Sequence, residues 1–181
     1  MKYKINDIFY SIQGEGYYTG NAVIFIRFSG CNLKCSFCDT DHSRYKFLTK
    51  EEIYTKIKKF NSKHIIFTGG EPTLQINKEL CLYFKRKGYY LSIESNGTNK
   101  IDNYIDWITI SPKNKDFTQK KGNELKVIFN TIDLKNLTKL KFDYYYIQPK
   151  SEKNIKQIIN YIKKNPIWKL SLQTQKILKI R

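Results

Sequence analysis

Gly30-Cys31-Asn32-Leu33-Lys34-Cys35-Ser36-Phe37-Cys38-Asp39-Thr40 is the stretch whose reading decides the fold. Cys31, Cys35 and Cys38 stand in a Cys-x3-Cys-x2-Cys spacing directly after Ala22 to Phe28, an apolar run that reads as a buried strand. On a helix the three cysteines would share one face, but Gly30 and Asn32 point to a loop at the strand end. A loop can fold three sulfurs around a small inorganic body. Zinc is usually held by four ligands in two separated pairs. Iron–sulfur clusters are normally held by four clustered thiolates. The fourth cysteine, Cys81, lies far along the chain in a helical pattern and reads as a small core residue. Three thiolates on a four-iron cluster would leave one iron open to a second molecule. A zinc site completed by His42, or simply buried thiols, are the other readings that the spacing leaves open.

Outward from this loop the pattern alternates strand and helix. Thr49 to Phe60 reads as a helix, with Thr49 and Glu52 as a capping-box pair and Ile53, Ile57 and Phe60 on one face. Lys63 to Phe67 reads as the second strand. Asn77 to Lys87 reads as a helix with Leu80, Cys81 and Phe84 inward and Gly88 placed to end it. Tyr89 to Glu94, Trp107 to Ile110, Leu125 to Phe129 and Tyr144 to Gln148 read as short strands. Ser151 to Lys164 reads as a helix carrying Ile155, Ile158, Ile159 and Ile162 at helical spacing, and Trp168 to Gln173 as a last strand. Such alternation predicts an α/β fold with a parallel sheet and helices outside, in a single domain spanning 1–181.

In parallel α/β folds the site gathers in the loops at the carboxyl ends of the strands. The residues suited to chemistry fall there. Thr68-Gly69-Gly70-Glu71-Pro72 follows the second strand, Ser95-Asn96-Gly97-Thr98 the third, Ser111-Pro112-Lys113 the fourth and Gln148-Pro149 a later one. Two glycines allow close backbone approach, and the Glu71 carboxylate suits an ammonium. Ahead of the cysteine loop, Gln13-Gly14-Glu15-Gly16 sets an amide and a carboxylate between glycines, where a flat ligand can be approached closely and its donors paired. Arg27, a cation within a buried strand, suits an anionic ligand group or an internal salt bridge.

The 181 residues carry 33 Lys+Arg against 16 Asp+Glu, a formal net charge of +17. Only Arg27, Arg44, Arg86 and Arg181 are arginines, and the lysines are spread along the whole chain. Arg is the residue suited to bidentate base and phosphate contacts, so the charge reads as solvated lysine surface and no specific nucleic-acid partner is expected. There is no run of about 18 apolar residues and no secretory pattern in Met1 to Phe9, so no membrane span or signal is expected and a reducing cytoplasm suits the thiolates.

The cysteine spacing with Phe37 before its last member resembles the radical S-adenosylmethionine superfamily. Gln13-Gly14-Glu15-Gly16, Thr19-Gly20, Phe25-Ile26-Arg27, Cys38-Asp39-Thr40-Asp41-His42, Thr68 to Thr73, Ser111 to Lys113, Gln148-Pro149 and the tail Leu170 to Lys176, in this order, resemble one family within it, the 7-carboxy-7-deazaguanine synthases of queuosine biosynthesis. That resemblance implies an incomplete (β/α)6-type partial barrel, here with reduced outer helices. It implies a lyase that turns 6-carboxy-5,6,7,8-tetrahydropterin into 7-carboxy-7-deazaguanine with loss of ammonia, started by a 5'-deoxyadenosyl radical. Cys31, Cys35 and Cys38 would hold a 4Fe-4S cluster. Phe37, Cys38, Asp39, Gly70, Glu71, Ser111, Pro112, Lys113 and Gln148 would bind S-adenosylmethionine. Ile12, Gln13, Gly14, Glu15, Arg27 and Thr68 would bind the pterin, and Thr40 would bind Mg2+. No side chain is expected to be catalytic itself, the radical coming from S-adenosylmethionine. A flavodoxin- or ferredoxin-like electron donor and a homodimer are expected. A glycyl-radical-enzyme activase shares the cysteine spacing and the Gly-Gly-Glu-Pro loop and is the alternative. The segments 43–48 and 122–140 are shorter than in many members.

Overall fold

The chain begins with a strand that its residue pattern does not announce. In a computed structural model, which describes residues 1–36, 38, 40–150 and 154–180, β1 runs Tyr3–Ile12. Tyr3 and Ile5 are buried, but Asn6 and Asp7 then break the alternation that marks a half-buried strand. The described residues fall into two compact units. The first holds 1–11, 22–95 and 101–107, and the second holds 12–21, 96–100 and 108–181.

In the first unit, β1 is followed by β2 (Ala22–Phe28), β3 (Lys46–Leu48), α1 (Lys50–Ile57), β4 (His64–Gly69), α2 (Lys78–Lys85) and β5 (Tyr90–Ser95). The strands lie in the order β3-β1-β2-β4-β5. β3 pairs antiparallel with β1, Tyr3 facing Leu48, whereas β2, β4 and β5 are parallel. Three residues of β3 are too few to show a period, so this strand too is absent from the sequence reading. β2 reads as an apolar run broken only by Arg27 because both its faces are covered, as in other parallel sheets. On one side Phe28 meets Phe67, which meets Phe84 of α2, with centroids 5.9 and 6.4 Å apart. On the other, Val23, Phe25 and Ile66 form a cluster against which Phe9 packs. Each such fully buried side chain contributes about 1.5–3 kcal/mol.

The helix ends follow the expected chemistry. Thr49 accepts from the Glu52 N–H, and the Glu52 carboxylate accepts from the Thr49 N–H, closing the capping box. Asn77 caps α2 through the Leu80 N–H, and Gly88 ends it with φ +78°. Both helices are two or three residues shorter at their carboxyl ends than their apolar periods suggest. Cys81 is buried in α2, and burial pushes its thiol up to about 12, which suits a core residue. Lys85 and Asp106 pair at 2.6 Å, and Asp106 also accepts from the Leu91 N–H.

From residue 108 on, the second unit holds the rest of β6 (Trp107–Ile110), then β7 (Lys121–Ile128), β8 (Lys141–Gln148), α3 (Ile155–Lys164), β9 (Trp168–Leu170) and α4 (Thr174–Ile177). Their order is β6-β7-β8-β9, all parallel. Only a short 3-10 turn, Leu137–Lys139, lies between β7 and β8, and no helix lies between β6 and β7 among the described residues. The outer helices are thus reduced, as expected. β7 and β8 begin three or four residues earlier than their apolar cores suggest, and β9 is half as long. The early residues of β7 and β8 include Lys121, Asn123, Lys141 and Asp143, polar positions that hydrophobic patterning cannot assign. α4 also went unread, being a single turn. Ser151 to Lys153, expected in the helix of α3, lie outside the described residues. No helix among the described residues is long and apolar enough to cross a membrane.

Candidate functional site

The cysteine loop leaves the carboxyl end of β2. None of its three cysteines forms a disulfide, and residues 29–42 form no strand or helix among those described. Cys38 N–H donates to the Cys35 carbonyl at 3.1 Å, a turn that brings these two together, and Leu33 N–H donates to the Cys31 sulfur at 3.4 Å. Burial pushes the Cys31 thiol up, and the neighbouring Glu71, Cys35 and Cys38 add to this. Among the described residues no three His, Cys, Asp or Glu stand grouped as a ready metal site. The donor chemistry nevertheless fits a cluster: three soft thiols outside any disulfide, on one short segment with no ladder to break.

Gly69 and Gly70 have a mechanical reason. Gly70 N–H donates to the Phe28 carbonyl at 3.0 Å, and Glu71 N–H donates to that of Gly30 at 2.9 Å. A Cβ on Gly70 would lie 2.0 Å from the Gly30 oxygen, and Gly69 has φ +114°. The end of β4 is therefore pressed against the backbone just before Cys31, an approach only glycine allows. Glu71 is fully buried. Its Oε1 accepts from Thr73 N–H at 3.0 Å, Thr73 Oγ1 at 2.6 Å and Ser95 Oγ at 2.8 Å.

His42 sits beside the loop, its Nε2 3.9 Å from the Cys38 sulfur. Its Nδ1 accepts from the Gly30 N–H at 3.4 Å. A metal-ligating His ordinarily donates from its other ring nitrogen. The reading of His42 as the fourth zinc ligand is therefore disfavoured.

Arg27 of β2 and Thr68 of β4 are register partners, so two of the expected pterin residues stand side by side. Arg27 lies over the Phe9 ring at 5.8 Å, and its Nη1 donates to Thr40 Oγ1 at 3.1 Å. Thr68 Oγ1 donates to Glu94 Oε2 at 3.0 Å. Glu94 was not singled out from sequence, because one carboxylate within a strand carries no motif.

The Gln13-Gly14-Glu15-Gly16 loop belongs to the second unit. Glu15 Oε2 accepts from Lys126 Nζ at 2.7 Å, and its Oε1 accepts from Gln173 Nε2 at 2.8 Å and Gln175 Nε2 at 3.0 Å. Burial alone would raise this carboxyl. The Lys126 ammonium and the hydrogen bonds outweigh it and hold Glu15 at about 2. Gln13 is buried and accepts from the Glu15 N–H at 3.2 Å, and Ile12 is partly exposed at the end of β1. Lys113 Nζ donates to Ser111 Oγ at 2.9 Å. The Gln148 side-chain oxygen is buried without a hydrogen-bond partner, a vacancy that suits a ligand donor. Phe37 and Asp39 lie outside the described residues. Lys126, Gln173 and Gln175, the partners of Glu15, were not singled out from sequence.

Comparison with known proteins now decides between readings. The family model "Radical SAM superfamily" matches residues 25–178. A 7-carboxy-7-deazaguanine synthase from Bacteroides thetaiotaomicron is 43% identical over 182 residues, covering the whole of both chains. The chain belongs to the radical SAM superfamily, in its 7-carboxy-7-deazaguanine synthase family.

Other synthases agree. That from Haemophilus influenzae is 37% identical over 98% of this chain and 94% of its own, and that from Burkholderia multivorans is 35% identical over 99% and 100%. The crystal structure of QueE from Escherichia coli superposes with a TM-score of 0.83 at 25% identity, covering 96% of this chain and 94% of that one. The fold is thus the radical SAM α/β fold, with parallel strands in a sheet that does not close, as expected. The superfamily brings with it a 4Fe-4S cluster and S-adenosylmethionine. The activase alternative is not favoured, since these relatives all bear the synthase name. The Bacteroides relative aligns end to end in 182 residues, so the short segments expected at 43–48 and 122–140 also fit within a family member.

Proposed function

We propose that this synthase converts 6-carboxy-5,6,7,8-tetrahydropterin to 7-carboxy-7-deazaguanine with release of ammonia, and that its residues divide the work as their chemistry suggests. When bound, the 4Fe-4S cluster supplies the electron that splits S-adenosylmethionine and so starts the ring contraction. Cys31, Cys35 and Cys38 hold that cluster. Gly70 lets the strand end approach the loop, and Glu71 receives the amino group of S-adenosylmethionine, with Phe37, Cys38, Asp39, Ser111, Pro112, Lys113 and Gln148 completing its contacts. Ile12, Gln13 and Gly14 line the pterin, Glu15 pairs with its amino and ring N–H groups, and Arg27 beside Thr68 takes its carboxylate. The observation that carries the reading is that one chain holds both a three-thiol loop backed by Gly69-Gly70-Glu71 and a buried, ionised carboxylate in Gln13-Gly14-Glu15-Gly16.

Mg2+ on Thr40 rests on the family resemblance. The hydroxyl here accepts from the Arg27 guanidinium, and a cation 3.1 Å from a ligand oxygen opposes a dication, so the residues as arranged do not fit the ion. No step is derived through it. The net charge of +17 favours an acidic electron donor of the flavodoxin or ferredoxin kind. A homodimer, a cytoplasmic location and a single domain over 1–181 complete the proposal. The family match from 25 to 178 runs through both compact units and supports the last of these.

The test is anaerobic cluster reconstitution, followed by S-adenosylmethionine, reductant, Mg2+ and the pterin, with mass spectrometry for 7-carboxy-7-deazaguanine. Product that is lost in Cys31→Ala supports the assignment. Formation of 5'-deoxyadenosine alone, with no deazaguanine, would sink the substrate.

A further inference from the structure

Besides local bonds to Thr19, Gly20 and Asn21, the Gln13-Gly14-Glu15-Gly16 loop is held by residues more than 100 positions away. Besides the three bonds to the Glu15 carboxylate, Gly14 carbonyl accepts from the Thr174 N–H at 3.0 Å and from the Thr174 hydroxyl. Gly16 N–H donates to Ser171 Oγ at 3.0 Å, and Tyr17 N–H donates to Glu124 Oε2 at 3.0 Å. A Cβ on Gly14 would lie 1.8 Å from the Gln175 side-chain oxygen, and one on Gly16 2.1 Å from Glu124 Oε1. The loop therefore has no room to re-aim its carboxylate.

Counting acceptor positions shows what this arrangement can read. A carboxylate offers about four lone-pair sites, two on each oxygen. Glu15 Oε1 uses both of its own on Gln173 and Gln175, and Oε2 uses one on Lys126. One site remains on Oε2. The Gln175 oxygen is itself buried with no hydrogen-bond partner. Donors from Lys126, Gln173 and Gln175 are directed onto Glu15, while acceptors are left over. Such a surface suits a ring edge that presents N–H groups and repels one that presents a carbonyl.

We propose that Lys126, Gln173 and Gln175 are positioning residues that fix Glu15 as a donor-reading carboxylate, and so set the preference for a substrate ring bearing an exocyclic amino group over the same ring bearing oxygen there. This rests on the assignment of Gln13 to Glu15 to the pterin. Lys126 lies on β7, and Gln173 and Gln175 lie in the tail. The Lys126 side chain is only 5% exposed, so its ammonium is spent on this pair rather than on solvent.

The test compares binding of 6-carboxypterin with that of its 2-oxo counterpart, 6-carboxylumazine, to the cluster-loaded enzyme with S-adenosylmethionine, by calorimetry. A site built to pair a ligand's N–H groups discriminates strongly, so the wild type is expected to favour the amino compound by about 100-fold or more. Gln173→Leu and Gln175→Leu are expected to cut that preference by about tenfold each, raising KM more than they lower kcat. Lys126→Met leaves Glu15 buried and unpaired and invites misfolding. Glu15→Gln/Lys126→Met leaves neither charge behind, and is expected to fold and to bind both compounds alike. Variants that lose thermal stability but keep the full preference would overturn the positioning role. Failure of wild type to bind 6-carboxypterin, with 5'-deoxyadenosine still released, would overturn the pterin assignment as well and is distinguishable from it.

Discussion

Gly70→Ala tests whether the glycine pair exists to seat the cysteine loop. The added methyl carbon would stand 2.0 Å from the Gly30 oxygen, 2.6 Å from its carbonyl carbon and 3.0 Å from His42 Cε1. The Gly30 contact is with backbone, which cannot rotate away, so the two segments have to part by about 1 Å. Overpacking of this kind costs about 1–3 kcal/mol, which in a chain of this size lowers Tm by about 2–12 °C. The functional loss is expected to exceed the stability loss. Gly30 directly precedes Cys31, and its carbonyl accepts from the Glu71 N–H, so the displacement reaches both the cluster loop and Glu71. A misplacement near 1 Å costs about 100-fold in kcat/KM when it reaches reacting groups. Gly88→Ala is the control. It forces a side chain into left-handed backbone, φ +78°, a strain that Gly70 does not face, but its Cβ meets nothing within 4 Å and it lies at the end of α2. Iron and sulfide per chain, Tm and kcat/KM should be measured on both after identical reconstitution. Gly88→Ala is expected to lose a few degrees and keep its iron, whereas Gly70→Ala loses iron and most activity. Wild-type iron content and kcat/KM within twofold in Gly70→Ala would refute the seating argument.

Glu71→Gln keeps the oxygen that accepts from Thr73 and Ser95 but removes the charge, so Tm should hold while S-adenosylmethionine binding, measured by calorimetry, weakens by about 10- to 100-fold. Cys35→Ser is expected to abolish the iron–sulfur absorbance, whereas Cys81→Ser retains it and costs about 1–3 kcal/mol in urea unfolding for burying a hydroxyl. Burial lowers His64 from 6.5 to about 4, so the unfolded chain binds a proton that the folded one refuses; stability should fall as pH drops from 6.5 towards 4, and His64→Gln should flatten that slope in denaturant titrations. Thr49→Ala opens the capping box and should cost about 1 kcal/mol in the same titrations with kcat/KM unchanged.

What was legible in the chain was local. The capping box of Thr49 and Glu52, the apolar run of β2 and the helical period over Leu80, Cys81 and Phe84 are each contained within a dozen residues, and each is found as read. β1 was not legible because Asn6 and Asp7 interrupt its alternation. Asn6 has a reason that only the fold reveals: its amide donates to the Asp41 and Arg44 carbonyls at 2.7 and 2.6 Å, pinning the segment beyond the cysteine loop. The site divides in the same way. Glu15 could be picked out between its glycines, but Lys126, Gln173 and Gln175 stand 111 to 160 residues from it, in stretches without a motif. Gln173 and Gln175 could be quoted as part of a resemblance, yet nothing in their own neighbourhood says what they hold.

Two residues that motif reading assigns to ligands turn out to carry structure as well, and this bears on how their loss should be interpreted. Glu71 caps the turn Pro72–Leu74 and accepts from Ser95 at the end of β5, so its Oε1 ties the loop after β4 to the neighbouring strand. Gly70 sets the distance from that loop to Gly30. A substitution that removes either group wholly, such as Glu71→Ala, breaks the scaffold and the ligand contact at once, and loss of activity alone then says nothing about which failed. Buried polar groups that lose one partner leave the other unsatisfied, at about 1–3 kcal/mol each, and here Thr73 and Ser95 would each lose the Glu71 acceptor. The separation comes from atoms rather than residues. One carboxylate oxygen of Glu71 is committed to Thr73 and Ser95, so the charge can be removed while that oxygen stays. The same logic applies to Glu15, whose Oε1 is taken up by the tail and whose Oε2 is shared between Lys126 and the remaining acceptor position. At Glu15 the scaffold takes three of the carboxylate's acceptor positions, and the ligand reading is confined to the one that remains on Oε2.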